Sequence, residues 1–113
     1  MDKNIEILET DGQTIIENEF YVGFKKPYNF EGTEYPGIDL SGLENLSANN
    51  MIKAQKIFER SGNVSILPEM SMEYCCIIAA DATKQPIEFF KGLPMKEAIK
   101  VKNRVTSFFF SQD

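Results

Sequence analysis

The stretch EYCCIIAADA, residues 73–82, decides the fold of this chain. Its side chains are apolar on nearly every side of a helix, and a helix of that kind is usually buried by neighbours on several sides. Ser71 precedes the stretch, and Pro86 follows it as a helix breaker. The sequence therefore predicts a central helix over residues 72–84, with the rest of the fold packed around it.

Three further helical pieces are predicted around this helix. Ser47 has the character of an N-cap, and the helix over residues 48–60 that follows it ends at Gly62. A proline suits the first position of a short helix within residues 86–93. The last helix is predicted over residues 94–109, and a broad apolar stripe runs along it, formed by Met95, Ala98, Ile99, Val101, Val105 and Phe108.

Residues 20–40 predict a β-hairpin, because apolar side chains alternate there with the period of a strand and Glu31-Gly32 is a turn signal. Pro27 and Pro36 lack a donor N–H, so both are expected at strand edges or bends. An isolated hairpin is only marginally stable, so we expect one of its faces to pack on the helices.

Residues 1–19 leave two alternatives open, which are a loose strand pair around Asp11-Gly12 and a frayed terminus. Together the patterns predict an α+β fold that is mostly helical, with about four helices and an N-terminal β-hairpin packed on them. We expect a single domain over residues 1–113, with the helical part in residues 43–110.

Composition and charge exclude several classes of protein. Residues 1–50 hold ten acids and three lysines, and the whole chain has a net charge of −5. Nucleic-acid binders normally carry a basic surplus, so no nucleic-acid partner is expected. No apolar run approaches the ~20 residues of a membrane span, and the acidic, polar start does not match a secretory signal. Since the only two cysteines are adjacent, a disulfide framework is excluded and a cytoplasmic protein is expected.

Catalytic and cofactor motifs are missing from the sequence. It contains no histidine and no Gly-rich phosphate loop, which removes the commonest general base and most zinc sites. Glu69 and Glu73 could in principle act as an acid–base pair, or they are an acidic pair favoured by a helix start. Cys75 and Cys76 could bind a soft metal or sense redox state, or they pack as small hydrophobes. We expect no enzyme activity, no metal and no cofactor.

A basic face is predicted on the last helix. Lys96, Lys100 and Arg104 follow one another at a spacing of four residues and so lie on one side. They could contact an acidic partner segment or a phosphate, or they form a solvated helix face.

Consecutive phenylalanines are the strongest sign of a binding surface. Phe108, Phe109 and Phe110 cover about 200° of a helix, so one face can bury one or two of them. Either the third ring stays exposed and contacts a partner, or the hairpin covers all three. Phe89 and Phe90 are expected to add to the same surface.

A family resemblance carries more information than these single motifs. The pieces KPYNFEG, IDLSGLENL, PEMSMEY, ATKQPIEFF and GLPMKEAIKVKNRVTSFF occur in this order within residues 25–110. Through them the chain resembles the small tail assembly chaperones of tailed phages and prophages of Gram-positive bacteria. None of the pieces is a catalytic motif, so the resemblance depends on their length and order.

The resemblance implies a binding function in phage assembly. Such chaperones bind the long tape measure protein, keep it soluble and help tail tube subunits polymerise around it. The tape measure protein, the tail tube protein and further copies of the chain are therefore the expected partners. The expected location is the cytoplasm of the bacterial host, with the protein absent from the mature virion. The alternative is a structural tail component, or another small interaction module, that is retained in the particle.

Overall fold

The structure is a computed structural model of the chain. It describes residues 20–111 in full, and residues 6–10 and 13–17 as backbone. The elements follow one another as β1 (Glu6–Thr10), β2 (Gln13–Glu17), β3 (Tyr21–Phe30), β4 (Thr33–Asp39), a 3₁₀ turn (Ser41–Asn45), α1 (Ala48–Arg60), a second 3₁₀ turn (Pro68–Met70), α2 (Met72–Thr83), α3 (Ile87–Lys91) and α4 (Met95–Phe110). This confirms the predicted α+β fold, in which an N-terminal hairpin packs on four helices.

Two antiparallel strand pairs form separate sheets. β1 pairs with β2, which is one of the two alternatives for the N-terminal segment, while the predicted turn residues Asp11-Gly12 lie outside the described residues. β3 pairs with β4 through a two-residue turn, and Glu31 and Gly32 both have positive φ there. That geometry matches the type I′ turn, whose twist suits a hairpin.

A β-bulge interrupts the second hairpin. The register shifts between Gly23 and Tyr28, so four residues of β3 lie opposite the single residue Pro36 of β4. Pro27 lies inside this bulge. Both prolines therefore occupy irregular positions, as expected for residues that cannot donate to a ladder.

The central helix is confirmed as the middle of the core. Residues 74–79 of α2 are all buried, and they form one apolar cluster with residues from both β3 and the other helices. Ser71 caps the helix by accepting from the N–H of Tyr74 at 3.4 Å, and Lys84, at a φ of 63°, ends it. The first 3₁₀ turn approaches α2 so closely that a Cβ at Gly42 would overlap the Ala82 carbonyl.

The hairpin docks on the helices through an aromatic cluster around Phe89. This ring lies 5.0–5.2 Å from the rings of Tyr28, Phe30 and Tyr35, each time edge to face. The Tyr28 hydroxyl also donates to the Phe89 carbonyl at 2.8 Å. β3 and β4 are therefore fixed to α3 by both packing and a hydrogen bond.

Helix α1 covers a second side of α2. Ser47 occupies the N-cap position of α1 as predicted, and the side-chain oxygen of Asn50 accepts from the Ser47 N–H at 2.8 Å. Ala54 and Phe58 are buried against α2, and the ring of Phe58 packs edge to face on Tyr74.

None of the described helices is both long enough and apolar enough to cross a membrane.

Candidate functional site

The predicted aromatic surface separates into core and exposed parts. Phe108 packs against Phe20, and Phe109 packs against Tyr74, each at a centroid distance of 6.0 Å. Phe110 keeps 56% of its surface exposed. The ring that α4 leaves accessible to a partner is therefore Phe110.

Phe89 and Phe90 do not belong to an outer surface, contrary to the sequence-based expectation. They are 0% and 1% exposed, and their rings pack on each other at 4.9 Å. The physical reason is that α3 is a single short helix beneath the hairpin, so its two rings fill the space between β3, β4 and α2. Neither ring forms part of the outer aromatic surface that the sequence predicted.

The predicted basic face of α4 is largely engaged within the chain. Lys100 donates from Nζ to the carbonyl of Gly23 at 2.8 Å, and Arg104 donates from Nη1 to the carbonyl of Tyr21 at 3.1 Å. Lys96 is exposed. Two of the three cations thus hold strand β3, a role that neither interpretation of the sequence included.

These two contacts belong to a set of three that binds backbone groups at the outer edge of β3. Along a strand of an antiparallel pair, the backbone N–H and C=O groups of successive residues point alternately toward the partner strand and away from it. Leu40 donates to the Phe20 carbonyl on the β4 side, so Tyr21 and Gly23 present their backbone groups away from β4. Lys25 follows within the bulge. The third contact is that of Glu97, which accepts from the Lys25 N–H at 2.9 Å. The contacts of Glu97, Lys100 and Arg104 are called the edge contacts below.

Glu97 is the buried charge within the edge contacts, at 7% exposure. Its carboxylate forms an ion pair with Lys100 at 2.7 Å. The hydrogen bonds from the Lys100 ammonium and from the Lys25 N–H lower the pKa of the Glu97 carboxyl. This acid therefore stabilises the fold in its charged form.

The two cysteines pack in the core. The Cys75 thiol donates to the Glu69 carbonyl at 3.4 Å and lies 3.6 Å from the hydroxyl oxygen of Thr106. Burial raises the pKa of the Cys75 thiol, and it raises the pKa of the Cys76 thiol to about 11. Thiols held in the neutral form are poor nucleophiles and poor metal ligands. Among the residues that the structure describes, no group of three or more acidic or cysteine side chains could hold a metal ion.

Among residues 20–111, the most exposed aliphatic side chains lie in the connector between α1 and α2, residues 61–71. Val64 and Ile66 are 96% and 97% exposed, and Leu67 and Met70 are about half exposed. The sequence carries a signal for this exposed segment, since the apolar run VSIL lies in a short connector between Gly62 and Pro68, outside the predicted helices and strands.

A second exposed apolar feature runs along α4. Met95, Ile99 and Phe110 are 77%, 42% and 56% exposed. At about 100° per residue they lie within roughly 60° of one another around the helix. Met95 and Ile99 lie on the predicted apolar stripe and are exposed, whereas Val101 and Val105 of the same helix are buried. Met95, Ile99 and Phe110 are called the α4 stripe below.

A groove lies beside the α4 stripe. It has a volume of about 520 Å³, and its walls come from the start of α2, from α3 and from Ala98 of α4. Lys91 and Glu73, which form an ion pair at 3.0 Å, are both among its lining residues. The residues that line this apolar groove are Ser71, Met72, Glu73, Cys76, Phe90, Lys91 and Ala98.

The connector adjoins the same side of α4. The Thr106 hydroxyl donates to the Glu69 carbonyl at 3.3 Å, which fixes the second 3₁₀ turn to α4. By helical geometry Thr106 lies on the arc of the α4 stripe. The end of the connector therefore packs on α4, and exposed apolar side chains occur both on the connector and on the α4 stripe.

No protein-family model, no curated protein and no solved structure matches this chain. Its membership of a family therefore stays a prediction from the sequence.

Proposed function

We propose that this chain is a phage tail assembly chaperone, which binds the tape measure protein, keeps it soluble and assists assembly of the tail tube. The sequence resemblance over residues 25–110 supplies the family. The observation in the structure that supports it best is the exposure of large apolar side chains on the connector and on the α4 stripe.

The exposure of the connector has an energetic cost that a binding role would recover. Burying a valine or isoleucine side chain is worth about 1.5–3 kcal/mol, and Val64 and Ile66 gain almost none of this within the chain. A scattered exposed aliphatic residue needs no explanation. Several of them beside a groove are typical of a surface that binds another protein.

A chaperone of this kind needs a rigid scaffold and an exposed apolar surface, and it needs no catalytic group. The core around α2 and the edge contacts provide the scaffold. The net charge of −5 favours the solubility of the chain and of a complex with its cargo. In this proposal the protein acts in the cytoplasm of the bacterial host and leaves before the virion is complete.

Co-expression with the long protein encoded just downstream tests the proposal. We expect that protein to become soluble and to co-purify only when the chain is present. The variants Ile66→Asp and Phe110→Ala should lower the yield of soluble complex by about tenfold each, because central contact residues dominate interfaces. Both residues are exposed, so the thermal unfolding of either variant should match that of the parent chain.

The matched control is Ile52→Asp, which changes an aliphatic side chain that is 52% exposed on α1. It should leave the yield of complex unchanged. An insoluble downstream protein in the presence of the parent chain would contradict the proposal, as would recovery of this chain in purified tails, which a structural tail component predicts.

A further inference from the structure

We propose that the connector between α1 and α2 has a second, closed position, in which Val64 and Ile66 enter a hollow beside the end of α1. The structure shows the open position, where both side chains are exposed. In the closed position the chain covers these side chains itself, and cargo has to displace them from the hollow. The inference rests on the proposed function for the role of the open position, whereas the closing is a property of the free chain.

The hollow lies between the connector and the C-terminal end of α1, and it has a volume of about 290 Å³. Phe58 and Glu59 of α1 line one side, and the connector residues Gly62, Val64 and Pro68 line the other. A cavity of about 150 Å³ can hold a molecule of benzene, so this hollow has room for one or two aliphatic side chains. It is called the α1 hollow below.

Both ends of the connector are anchored, and its middle is free. Asn63 donates to the Phe58 carbonyl through its backbone N–H at 3.4 Å and through its side-chain amide at 3.3 Å. At the other end Pro68 begins the second 3₁₀ turn, which is fixed to α4. Between these anchors, the backbone N–H and carbonyl groups of residues 64–66 form no hydrogen bond within the part of the chain that the structure describes. This segment can therefore move without unwinding α1 or the 3₁₀ turn.

The side chains of the free segment supply a reason to close. Val64 and Ile66 are 96% and 97% exposed, and Val64 already lies at the α1 hollow as one of its lining residues. One residue separates the two, so both point to the same side when the segment is extended. Removing them from water favours closing, and the loss of conformational freedom in the segment opposes it. Opposing contributions of this kind allow two positions of one segment to coexist.

A closed position would change how the connector meets its cargo. Exposed aliphatic side chains bind apolar surfaces with little selectivity, and closing covers them while no cargo is present. The apparent affinity for cargo is then reduced in proportion to the fraction of chains that are open. The α1 hollow and the cargo therefore compete for the same two side chains.

Thiol modification of the free, full chain measures the closing. Ile66→Cys adds a thiol to the connector, while Cys75 and Cys76 are a slow background because burial raises the pKa of both. Peptide mass spectrometry follows the reaction of the new thiol with a maleimide, and its rate in buffer is divided by its rate in urea. The open position alone predicts a ratio near one. We expect the thiol to react at least about fivefold more slowly in buffer.

Two variants locate the effect in the α1 hollow. Glu59→Trp, made in the Ile66→Cys chain, places a large ring at an exposed position that lines the hollow. It should hold the connector open and bring the ratio to within about twofold of one. The matched control Gln55→Trp lies one turn earlier on α1, and both variants remove the 3.2 Å hydrogen bond between Gln55 and Glu59. Only Glu59→Trp should change the ratio. If it lowers the melting temperature, Glu59→Phe serves in its place.

Three results would overturn the inference. They are a ratio near one for Ile66→Cys, an equal effect of the two tryptophan variants, and protection that rises between about 1 µM and about 100 µM protein, which would make a second copy the cover. If one of them appears while co-expression still solubilises the downstream protein, the chaperone proposal stands and only the closing fails. Protection of the thiol together with an insoluble downstream protein would leave the closing in place and remove the chaperone role.

Discussion

The two sides of α4 use their side chains in opposite ways. On one side Glu97, Lys100 and Arg104 bind the backbone of β3. On the other side Met95, Ile99 and Phe110 are exposed. A surface helix normally turns its apolar side to the protein and its charges to water. Here a strand edge lies against the charged side, and unpaired backbone groups need polar partners. The charged side of α4 thus faces the strand edge, whose backbone groups need hydrogen-bond partners.

The largest expected effect separates the packed arc of α4 from its exposed stripe. Val105→Asp places a charge at a position that is fully buried, and we expect a loss of about 4 kcal/mol or more in the free energy of unfolding. Ile99→Asp makes the same kind of change on the stripe and should shift it by less than about 0.5 kcal/mol. Urea denaturation of both variants measures the difference, and similar losses would show that the stripe is packed after all.

An intermediate effect is expected at the edge contacts. Arg104→Ala removes the donor to the Tyr21 carbonyl and should cost about 1 kcal/mol, since the bond is charge-assisted but exposed to solvent. Lys96→Ala, an exposed position on the same helix, is the control and should stay within about 0.5 kcal/mol. If chemical denaturation gives the same value for both, the contact to β3 contributes nothing to stability.

The smallest expected effect is on the pH dependence of stability. Because its hydrogen bonds hold the pKa of Glu97 below the ordinary value of 4.5, its contribution is present above that pH and is lost as the pH falls further. Glu97→Gln should therefore be less stable than the parent at pH 7, and should lose less on acidification. Urea titrations at pH 7 and about pH 3.5 compare it with Glu88→Gln, an exposed carboxylate on α3, which should follow the parent.

Local patterns predicted the elements of the fold well. The range 48–60 for α1 agrees with the structure, and the turn at Glu31-Gly32 forms as expected. Both features depend on residues close together in the chain, such as the cap at Ser47 and the positive φ that Gly32 adopts. Such local preferences can be inferred from the types of a few neighbouring residues.

Features that depend on distant neighbours were not predictable in the same way. The partners of Lys100 and Arg104 are backbone carbonyls 77 and 83 residues away. Because every residue has such a carbonyl, the residue types do not indicate which one accepts a hydrogen bond. Phe89 looked like part of an outer surface because only the docked hairpin buries it. The apolar stripe on α4 was wider than the arc that its neighbours cover, so Met95 and Ile99 remained outside.

The edge contacts also set an order of events during synthesis of the chain. Arg104 is made 83 residues after Tyr21, and at roughly 5–20 residues per second the ribosome needs about 4–17 s to supply it. Throughout this interval the nascent hairpin lacks the side chains that satisfy its outer strand. An open strand edge can pair with other nascent chains, so the last helix, by arriving, ends the period in which this protein is most exposed to misassembly.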